Sequence, residues 1–362
     1  MSIGRALALL VIVAACDRNR AAAPKPAVPA HQDAYVWQRS WTPAVRDAVE
    51  HAPAKIEGLR ILAAEVAVGD PLHAISLDAP SLAASGRRVT LVLRINGSRP
   101  MDDLSIAPLL ATAQTLQQAG VDVAGIEVDH DCATARLAAY ARWLALQDHA
   151  SLRLSITALP TWAESPALRD VATAVDEIVV QVHAVRAPAI FDPNVAWHDL
   201  VRFSREVRGT PLRVALPTYG AVVRGMEVEA DVRDVAAFER RLAAESIVDG
   251  VVWFRLPVKG DPQTWSPATF AHVVERGTPD APQAKLALVA RGADQFDVVA
   301  RNEGTELVDL PPVRVAGAID AADMIGYRAV TQHEWAAPHR SLAPSESITI
   351  GWIRGKDITL VD

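Results

Sequence analysis

The sequence is poor in cysteine, and this scarcity excludes one class of protein. Its 362 residues include two cysteines, Cys16 and Cys132. Small exported domains that depend on disulfides carry several cysteine pairs. Cys16 ends a signal-like segment, which leaves Cys132 without a partner. The fold is therefore expected to depend on an apolar core, and half of the residues are hydrophobic.

The sequence also lacks an excess of positive charge. It has 36 basic and 43 acidic residues and a net charge of −7, with no basic stripe. Proteins that bind nucleic acid neutralise phosphates with clustered lysine and arginine. Nucleic acid is therefore not expected as a partner.

Several sequence motifs are missing. There is no G-x-G-x-x-G, G-K-[ST] or G-x-S-x-G, so neither nucleotide binding nor serine-hydrolase chemistry is supported. There is also no H-x-x-x-H or H-E-x-x-H to supply imidazole ligands. We expect no metal and no cofactor.

The N-terminus has an apolar run that is too short to span a bilayer. Residues 6–13 form this run, and Val13-Ala14-Ala15-Cys16 closes it. This ending resembles a bacterial lipobox, in which Cys16 is acylated; a generic signal peptide followed by an accidental cysteine is the alternative. Residues 1–16 thus predict an exported lipoprotein anchored to a membrane and facing the periplasm, and Asp17 is compatible with the inner membrane. Residues 17–33, rich in Ala and Pro, predict a tether of about 50 Å.

From residue 34 to residue 276, short apolar runs alternate with helical stretches. The predicted strands are 34–38, 59–66, 88–95, 124–129, 152–158, 177–183, 212–217 and 250–256. The predicted helices are 43–51, 103–118, 133–148, 166–174, 196–207, 232–245 and 267–276, and the 67–87 connection is ambiguous. This α/β alternation predicts a (β/α)₈ TIM barrel, with a doubly wound sheet as the alternative.

A Pro-containing linker, residues 277–283, separates this region from residues 284–362. Four alternating runs follow, at 285–291, 296–302, 313–319 and 348–354, and they predict a small accessory β-sandwich. Trp335 and Trp352 are interpreted either as core residues or as a platform on which a sugar ring stacks.

Three carboxylates at alternate positions mark the fourth predicted strand. Glu127, Asp129 and Asp131 share one face of an extended strand, whereas His130 points to the other face. Crowded carboxylates push their pKa values apart, which suits general acid catalysis. Because His130 points away from the acids, the Asp-His-Asp triplet does not favour a metal site.

Other chemically useful side chains fall at the carboxyl ends of the predicted strands. Active sites of TIM barrels lie at that end, and aromatic and polar groups together suit a sugar pocket. The candidates are Trp37, Arg39, Glu65, Arg94, Asn96, Asp129, Asp131, Thr157, Gln181, His183, Tyr219, Trp253 and Arg255.

The stretches 125–131, 156–162 and 179–183 resemble a bacterial family catalogued as domain of unknown function 3142, over residues 34 to about 275. More distantly, stretches 124–131, 177–184, 212–220 and 249–256 are similar to glycoside hydrolase family 18, the chitinase-like barrels. In that likeness Asp129 matches the acid that orients the N-acetyl group of the substrate. Trp253 stands where a tryptophan forms the floor of the sugar subsite.

The chain departs from the family 18 pattern at several positions. Asp131 replaces the glutamate that protonates the leaving oxygen, and Glu127 and Ala124 replace two aspartates. His183 and Ala184 stand where tyrosine and aspartate are expected. The resemblance therefore implies the fold more strongly than the mechanism.

Two functions follow as hypotheses. The first is a membrane-tethered glycoside hydrolase that acts on an envelope or extracellular polysaccharide, with Asp131 as general acid and Asp129 or Glu65 as the second carboxylate. The second is a non-catalytic carbohydrate-binding or scaffold lipoprotein. The expected substrate-binding residues are Glu127, Trp37, Arg94, Gln181, His183, Tyr219, Trp253 and Arg255.

Overall fold

The computed structural model describes residues 31–67, 70–97, 104–184, 190–223, 226–261, 263–276, 284–304, 308–338, 341–342 and 346–361. The predictions for the signal segment, for Cys16 and for most of the tether lie outside these residues.

Eight parallel strands, each followed by a helix, form a closed barrel. The strands are β1 (His31–Val36), β2 (Gly58–Val66), β3 (Arg88–Ile95), β4 (Val123–His130), β5 (Arg153–Ala158), β6 (Glu177–Gln181), β7 (Leu212–Pro217) and β8 (Gly250–Phe254). The helices are α1 (Pro43–Glu50), α2 (Ala79–Ser85), α3 (Ala107–Gln118), α4 (Leu137–Ala145), α5 (Leu168–Thr173), α6 (Pro193–Glu206), α7 (Val232–Glu245) and α8 (Pro267–Val274). Each strand pairs with the next, and β8 pairs with β1. The predicted TIM barrel is confirmed.

Four of the helices begin with a side-chain cap and a proline in the first turn. Thr42, Asp78, Asp192 and Ser266 accept hydrogen bonds from the first free backbone N–H groups of α1, α2, α6 and α8. Such caps satisfy donors that have no partner within the helix, and proline at the first positions loses no hydrogen bond. The ambiguous 67–87 connection thus contains the short helix α2.

Strand β1 begins earlier than the sequence predicted. Residues 31–33 were assigned to the tether, but Gln32 and Asp33 are buried in β1. The Gln32 amide donates to the Val274 carbonyl oxygen, and Asp33 pairs with Arg60. In the sequence these polar residues are typical of a linker, because the hydrogen-bond and ion-pair partners that allow their burial lie far away along the chain.

Alternation along the strands divides the barrel side chains into two sets. Residues that face the helices form the large apolar core, whereas Tyr35, Val92, Val179, Ala215 and Val252 form a small layer inside the barrel. A bulge in β2 between Leu62 and Ala64 shifts the alternation by one residue. This shift places Glu65 beside Arg94 of β3, on the inner face.

The C-terminal region is all β, as predicted. Four antiparallel strands, β9 (Ala284–Ala290), β10 (Gln295–Asn302), β11 (Val313–Met324) and β12 (Ser347–Leu360), form a sheet in the order β9-β10-β12-β11. The short strands Glu334–Ala336 and Arg328–Ala329 extend it. A two-stranded sheet, Val308–Asp309 with Ser341–Leu342, contributes Val308 and Leu342 to the same apolar cluster.

Among the described parts of the chain, no helix is both long and apolar enough to cross a bilayer.

Candidate functional site

A cavity of about 300 Å³ opens at the carboxyl ends of the barrel strands. All eight strands, or the residues just after them, contribute to its wall, as the alternation of inward side chains requires. Its lining residues are Tyr35, Trp37, Arg39, Glu65, Arg94, Asn96, Asp129, Asp131, Thr157, Gln181, His183, Ala215, Tyr219 and Phe254.

The structure therefore brings together most of the residues that the sequence selected. Of the predicted catalytic residues, Asp131, Asp129 and Glu65 all line the cavity. Of the predicted substrate-binding residues, the cavity contains Trp37, Arg94, Gln181, His183 and Tyr219. Their catalytic and binding roles stay predictions.

One arginine joins Asp129, which lies in β4, to Asp131, which follows the end of β4. The Nη1 group of Arg94 donates to Asp129 at 2.7 Å, and its Nη2 group donates to Asp131 at 2.7 Å. Asn96 accepts from Nε of the same guanidinium at 3.0 Å and so fixes its plane. The contact arises because Arg94 and Asp129 are direct partners in the register of β3 and β4.

The two aspartates have different surroundings. Asp129 is 4% exposed and accepts a hydrogen bond from the Thr157 hydroxyl at 2.5 Å. Burial raises the pKa of Asp129 above its ordinary value, although Arg94 and Thr157 act in the opposite direction. The side chain of Asp131 is 46% exposed at the mouth of the cavity. Adjacent carboxylates in unlike environments are typical of acid and base pairs.

The third cavity carboxylate, Glu65, is held by Arg39. Two parallel hydrogen bonds of 2.6 Å join the carboxylate to the guanidinium. Such a bidentate pair is geometrically rigid. Arg39 is exposed, so this pair forms part of the rim.

Aromatic rings form the opposite side of the cavity. Phe254 lies at their centre, with its ring centroid 5.2 Å from that of Trp37 and 5.6 Å from those of Tyr35 and Tyr219. The ring of His183 stacks on Phe254 at 5.5 Å. The cavity thus has one wall of paired charges and one wall of rings, which matches a ligand with both polar edges and an apolar face.

His183 is a neutral hydrogen-bonding group in this aromatic wall. It is 2% exposed, and burial lowers its pKa to about 3. Its Nδ1 atom lies 3.3 Å from the Tyr219 hydroxyl, whereas its buried Nε2 atom has no hydrogen-bond partner in the described chain. A ligand hydroxyl satisfies such a nitrogen in either tautomer because it both donates and accepts.

The predictions that Trp253 and Arg255 line the cavity are wrong. Trp253 is fully buried among the helix-facing residues, where its indole N–H donates to Gln32 at 2.9 Å. Its register partner is Ala34, and the inward side chain of β8 is Phe254. Arg255 pairs instead with Asp261 at 2.6 Å.

The prediction that Glu127 binds substrate is also wrong. It lies on the same face as Asp129, as expected, but below the cavity and with no exposed surface. The Tyr35 hydroxyl, in the cavity floor, donates to Glu127 at 2.7 Å. Burial raises the pKa of Glu127, against the effects of Arg60 and of this hydrogen bond.

Glu127 belongs to a buried ionic network that fills the lower half of the barrel. Arg60 pairs with Glu127, with Glu177 and, at 3.1 Å, with Asp33. Arg213 pairs with Asp33 at 2.8 Å and with Glu177 at 2.9 Å. This network was not predicted from the sequence. The signal that identifies it is a charged residue near the start of each of the strands β1, β2, β6 and β7, acidic in β1 and β6 and basic in β2 and β7.

His130 points away from the cavity, as the strand alternation predicted. Its Nδ1 atom lies 3.3 Å from the carbonyl oxygen of Ile95, and its ring packs on Tyr140. Within the described residues, no group of three or more His, Cys, Asp or Glu side chains converges as a metal site.

Residues 85–239 match the family described as Domain of unknown function (DUF3142). The resemblance inferred from the sequence is confirmed over these residues. The DUF3142 segment includes Arg94, Asp129, Asp131 and His183, whereas Trp37, Glu65 and Phe254 lie outside it. No curated protein matches the chain.

Solved structures with the same barrel include the spore cortex-lytic enzyme SleL of Bacillus cereus. It is 14% identical, with a TM-score of 0.52 over 69% of this chain and 74% of that one. A chitinase from Chromobacterium violaceum is 13% identical, with a TM-score of 0.49 over 68% and 98% of the two chains. A chitinase from Bacteroides thetaiotaomicron is 13% identical, with a TM-score of 0.46 over 62% and 89%. At 14% identity, the likeness to SleL shows the fold alone.

Proposed function

We propose that the barrel is a glycoside hydrolase that binds a saccharide in the cavity and acts on a polysaccharide. The observation that carries this proposal is that Asp129 and Asp131 lie in unlike environments, opposite a wall of aromatic rings. Glycosidic bonds are commonly cleaved by two carboxyl groups, of which one donates a proton and the other stays ionised. The rings of Trp37, Tyr219 and Phe254 provide apolar faces for a pyranose.

The sequence suggested Asp131 as the general acid and Asp129 as a second carboxylate. The surroundings of the two side chains favour the reverse assignment. Burial raises the pKa of Asp129, which therefore keeps its proton to higher pH and is the better proton donor. Asp131 faces solvent at the mouth, so it is the better candidate for the second carboxylate. Glu65 is engaged by Arg39 and remains the third candidate.

The proposal is tested with Asp129→Asn and Asp131→Asn, assayed on a panel of soluble neutral and N-acetylated oligosaccharides. We expect Asp129→Asn to lower kcat by about 10²-fold or more, because proton donation contributes roughly 10²–10⁴-fold. The alkaline limb of the pH profile should disappear in this variant. In Asp131→Asn, added azide or formate should restore part of the rate, since a small anion can enter at the exposed position.

Glu57→Gln is the matched control. Glu57 pairs with His31 at the amino end of the barrel, so its loss should leave kcat unchanged. Turnover that survives Asp129→Asn with an intact alkaline limb would assign the proton donor to another residue.

A second candidate function is saccharide binding without hydrolysis. It is favoured by the ion pairs of the cavity, in which Glu65, Asp129 and Asp131 each already have an arginine partner. Calorimetric binding of an oligosaccharide, with no product at any pH and with loss of binding in Tyr219→Ala or Trp37→Ala, would establish this alternative.

We further propose that the chain is exported and anchored through Cys16, so that the barrel faces the periplasm. The tether would enter the barrel at His31, where β1 begins, and the cavity lies at the opposite ends of the strands. An anchored barrel would therefore present its cavity away from the membrane, towards envelope polysaccharide.

A further inference from the structure

A row of four side chains crosses the C-terminal sheet. Val289 of β9 is the register partner of Asp297 of β10, which is the partner of Trp352 of β12, which is the partner of Asp323 of β11. Direct partners in neighbouring strands project from the same face of a sheet. The four residues therefore form one line on one surface, with Trp352 on an inner strand.

This surface is the one that faces away from the C-terminal core. The neighbours of Trp352 along β12, Gly351 and Ile353, are buried, whereas Trp352 is partly exposed and lies outside the apolar cluster. Trp335 belongs to that cluster, so the two tryptophans have different roles. Val289 is 42% exposed, and Asp323 is also exposed.

The indole of Trp352 has unused binding capacity. Four other tryptophans, Trp143, Trp162, Trp253 and Trp265, donate their N–H groups to protein oxygens. Within the described residues, the Trp352 N–H, like those of Trp37, Trp41, Trp197 and Trp335, has no such acceptor, and no other ring stacks on Trp352.

Polar groups of both signs flank the indole. On one side the carboxylate of Asp297 pairs with Arg291 at 2.7 Å. On the other side Asp323 has no ion-pair partner among the described residues. Arg354 follows Trp352 by two positions on β12 and is exposed. Two carboxylates and two guanidiniums balance each other, which disfavours polyanions such as nucleic acid or anionic lipid.

We propose that this face, defined by Asp297, Asp323, Trp352 and Arg354, is a second glycan-binding site, separate from the barrel cavity. Its ligand is a neutral polysaccharide whose pyranose rings carry equatorial hydroxyls. Such rings have a flat C–H face that packs on an indole, and their edge hydroxyls bond to the indole N–H, the carboxylates and the guanidinium. The residues lie in a row across four strands of the sheet, which suits the side of a long chain and not a chain end.

This inference does not rest on the proposed hydrolysis. A binding face on the sheet holds polysaccharide whether or not the barrel cleaves it. If both proposals hold, the face keeps an insoluble substrate close to the cavity without taking part in the reaction.

The experiment measures retention of the full chain on three insoluble neutral glycans, chitin, cellulose and curdlan. We expect retention on at least one of them and a decrease in affinity of about tenfold or more in Trp352→Ala. Trp352→Phe should recover part of the affinity because it restores a ring, and Asp323→Ala should weaken binding without touching the sheet core. Val330→Ala, at another exposed position of the C-terminal region, is the matched control and should bind normally.

Three outcomes would overturn the proposal. The first is no retention of the full chain on any of the three glycans. The second is unchanged retention in both Trp352→Ala and Asp323→Ala, with their folds verified by circular dichroism. The third is a change from dimer to monomer in Trp352→Ala without loss of glycan binding, which would make the face an interface between copies.

Failure of this proposal is distinguishable from failure of the hydrolase proposal. Asp129→Asn should be retained on the glycan like the unaltered chain, and Trp352→Ala should hydrolyse a soluble oligosaccharide at the normal rate. Loss of retention in Asp129→Asn alone would be a fourth outcome that overturns the second site, because it would place all glycan binding in the cavity.

Discussion

At the scale of single residues, His183 shows how burial sets a protonation state. Its pKa is lowered to about 3 because the ring is fully enclosed. In the unfolded chain a histidine titrates near pH 6.5. The folded state therefore gains stability from neutral His183 above pH 6.5, and this stability is lost as the pH falls towards 3.

We predict that His183→Gln makes folding less sensitive to acid. Between pH 6.5 and pH 4, the unaltered protein should lose on the order of 3 kcal/mol more unfolding free energy than the variant, at about 1.4 kcal/mol per pH unit. Urea denaturation at a series of pH values measures the difference. His198→Gln, which changes an exposed histidine with no ion-pair partner among the described residues, is the matched control. An equal acid sensitivity in His183→Gln and the unaltered protein would contradict the burial argument.

Sequence reasoning placed individual residues well where strand alternation alone decides. Asp129, Asp131 and His130 face the directions expected from their positions in β4. Trp253 was expected in the cavity both from its position at a strand end and from its likeness to a family tryptophan, but its direction depends on the register of β8 against Ala34 of β1. That register is a long-range property. The residue that points into the cavity is therefore Phe254, one position after the expected Trp253.

At the scale of elements, the face of a strand to which a side chain points was easier to predict than the distance of that side chain from the cavity. The alternation showed that Glu127 and Asp129 share a face, but it could not show that the Tyr35 ring lies between Glu127 and the cavity. Glu65 was correctly predicted to face the cavity, although β2 contains a bulge that no local sequence pattern predicts. The number of barrel strands and their order are local or general properties, and they were predicted correctly, although β1 begins three residues earlier than expected.

The link between Tyr35 and Glu127 gives a prediction for the barrel interior. Tyr35→Phe keeps the aromatic floor but removes a hydrogen bond from a fully buried carboxylate. We expect a loss of roughly 1–3 kcal/mol in unfolding free energy, because a buried acceptor is left with fewer partners. Chemical denaturation with urea measures this loss.

Tyr140→Phe is the matched control for Tyr35→Phe. Tyr140 is equally buried, but its hydroxyl has no hydrogen-bond partner in the described chain. The same substitution should therefore be neutral or stabilising at this position. Equal losses in the two variants would show that the Glu127 hydrogen bond contributes nothing specific.

At the scale of the whole molecule, the barrel and the C-terminal region have separate apolar cores. The clusters of the barrel contain residues up to Val274, and the C-terminal cluster contains residues from Ala284 onward. We predict that residues 31–276 alone form a soluble, cooperatively unfolding barrel. Circular dichroism and thermal melting of this fragment test the prediction. An aggregated or non-cooperative fragment would mean that the barrel depends on the C-terminal sheet.

The membrane anchor is tested on the whole chain as well. We predict that a palmitate analogue labels the protein in bacterial cells, and that Cys16→Ser abolishes the label and releases the protein from membranes. Cys132→Ser is the control, because the Cys132 thiol is buried and should not affect labelling. Unchanged membrane association of Cys16→Ser, after removal of the signal segment, would exclude lipid anchoring.

The ionic network beneath the cavity has a consequence for how the barrel closes. Its members come from β1, β2, β4, β6 and β7, and each faces inward only in the native register. A slip of one residue would turn a charge towards the apolar helices and leave its partner buried alone, at a cost of about 3–5 kcal/mol. The network thus discriminates against mispaired barrels more strongly than it stabilises the correct one. Its main contribution is therefore to the specificity of strand alignment during folding.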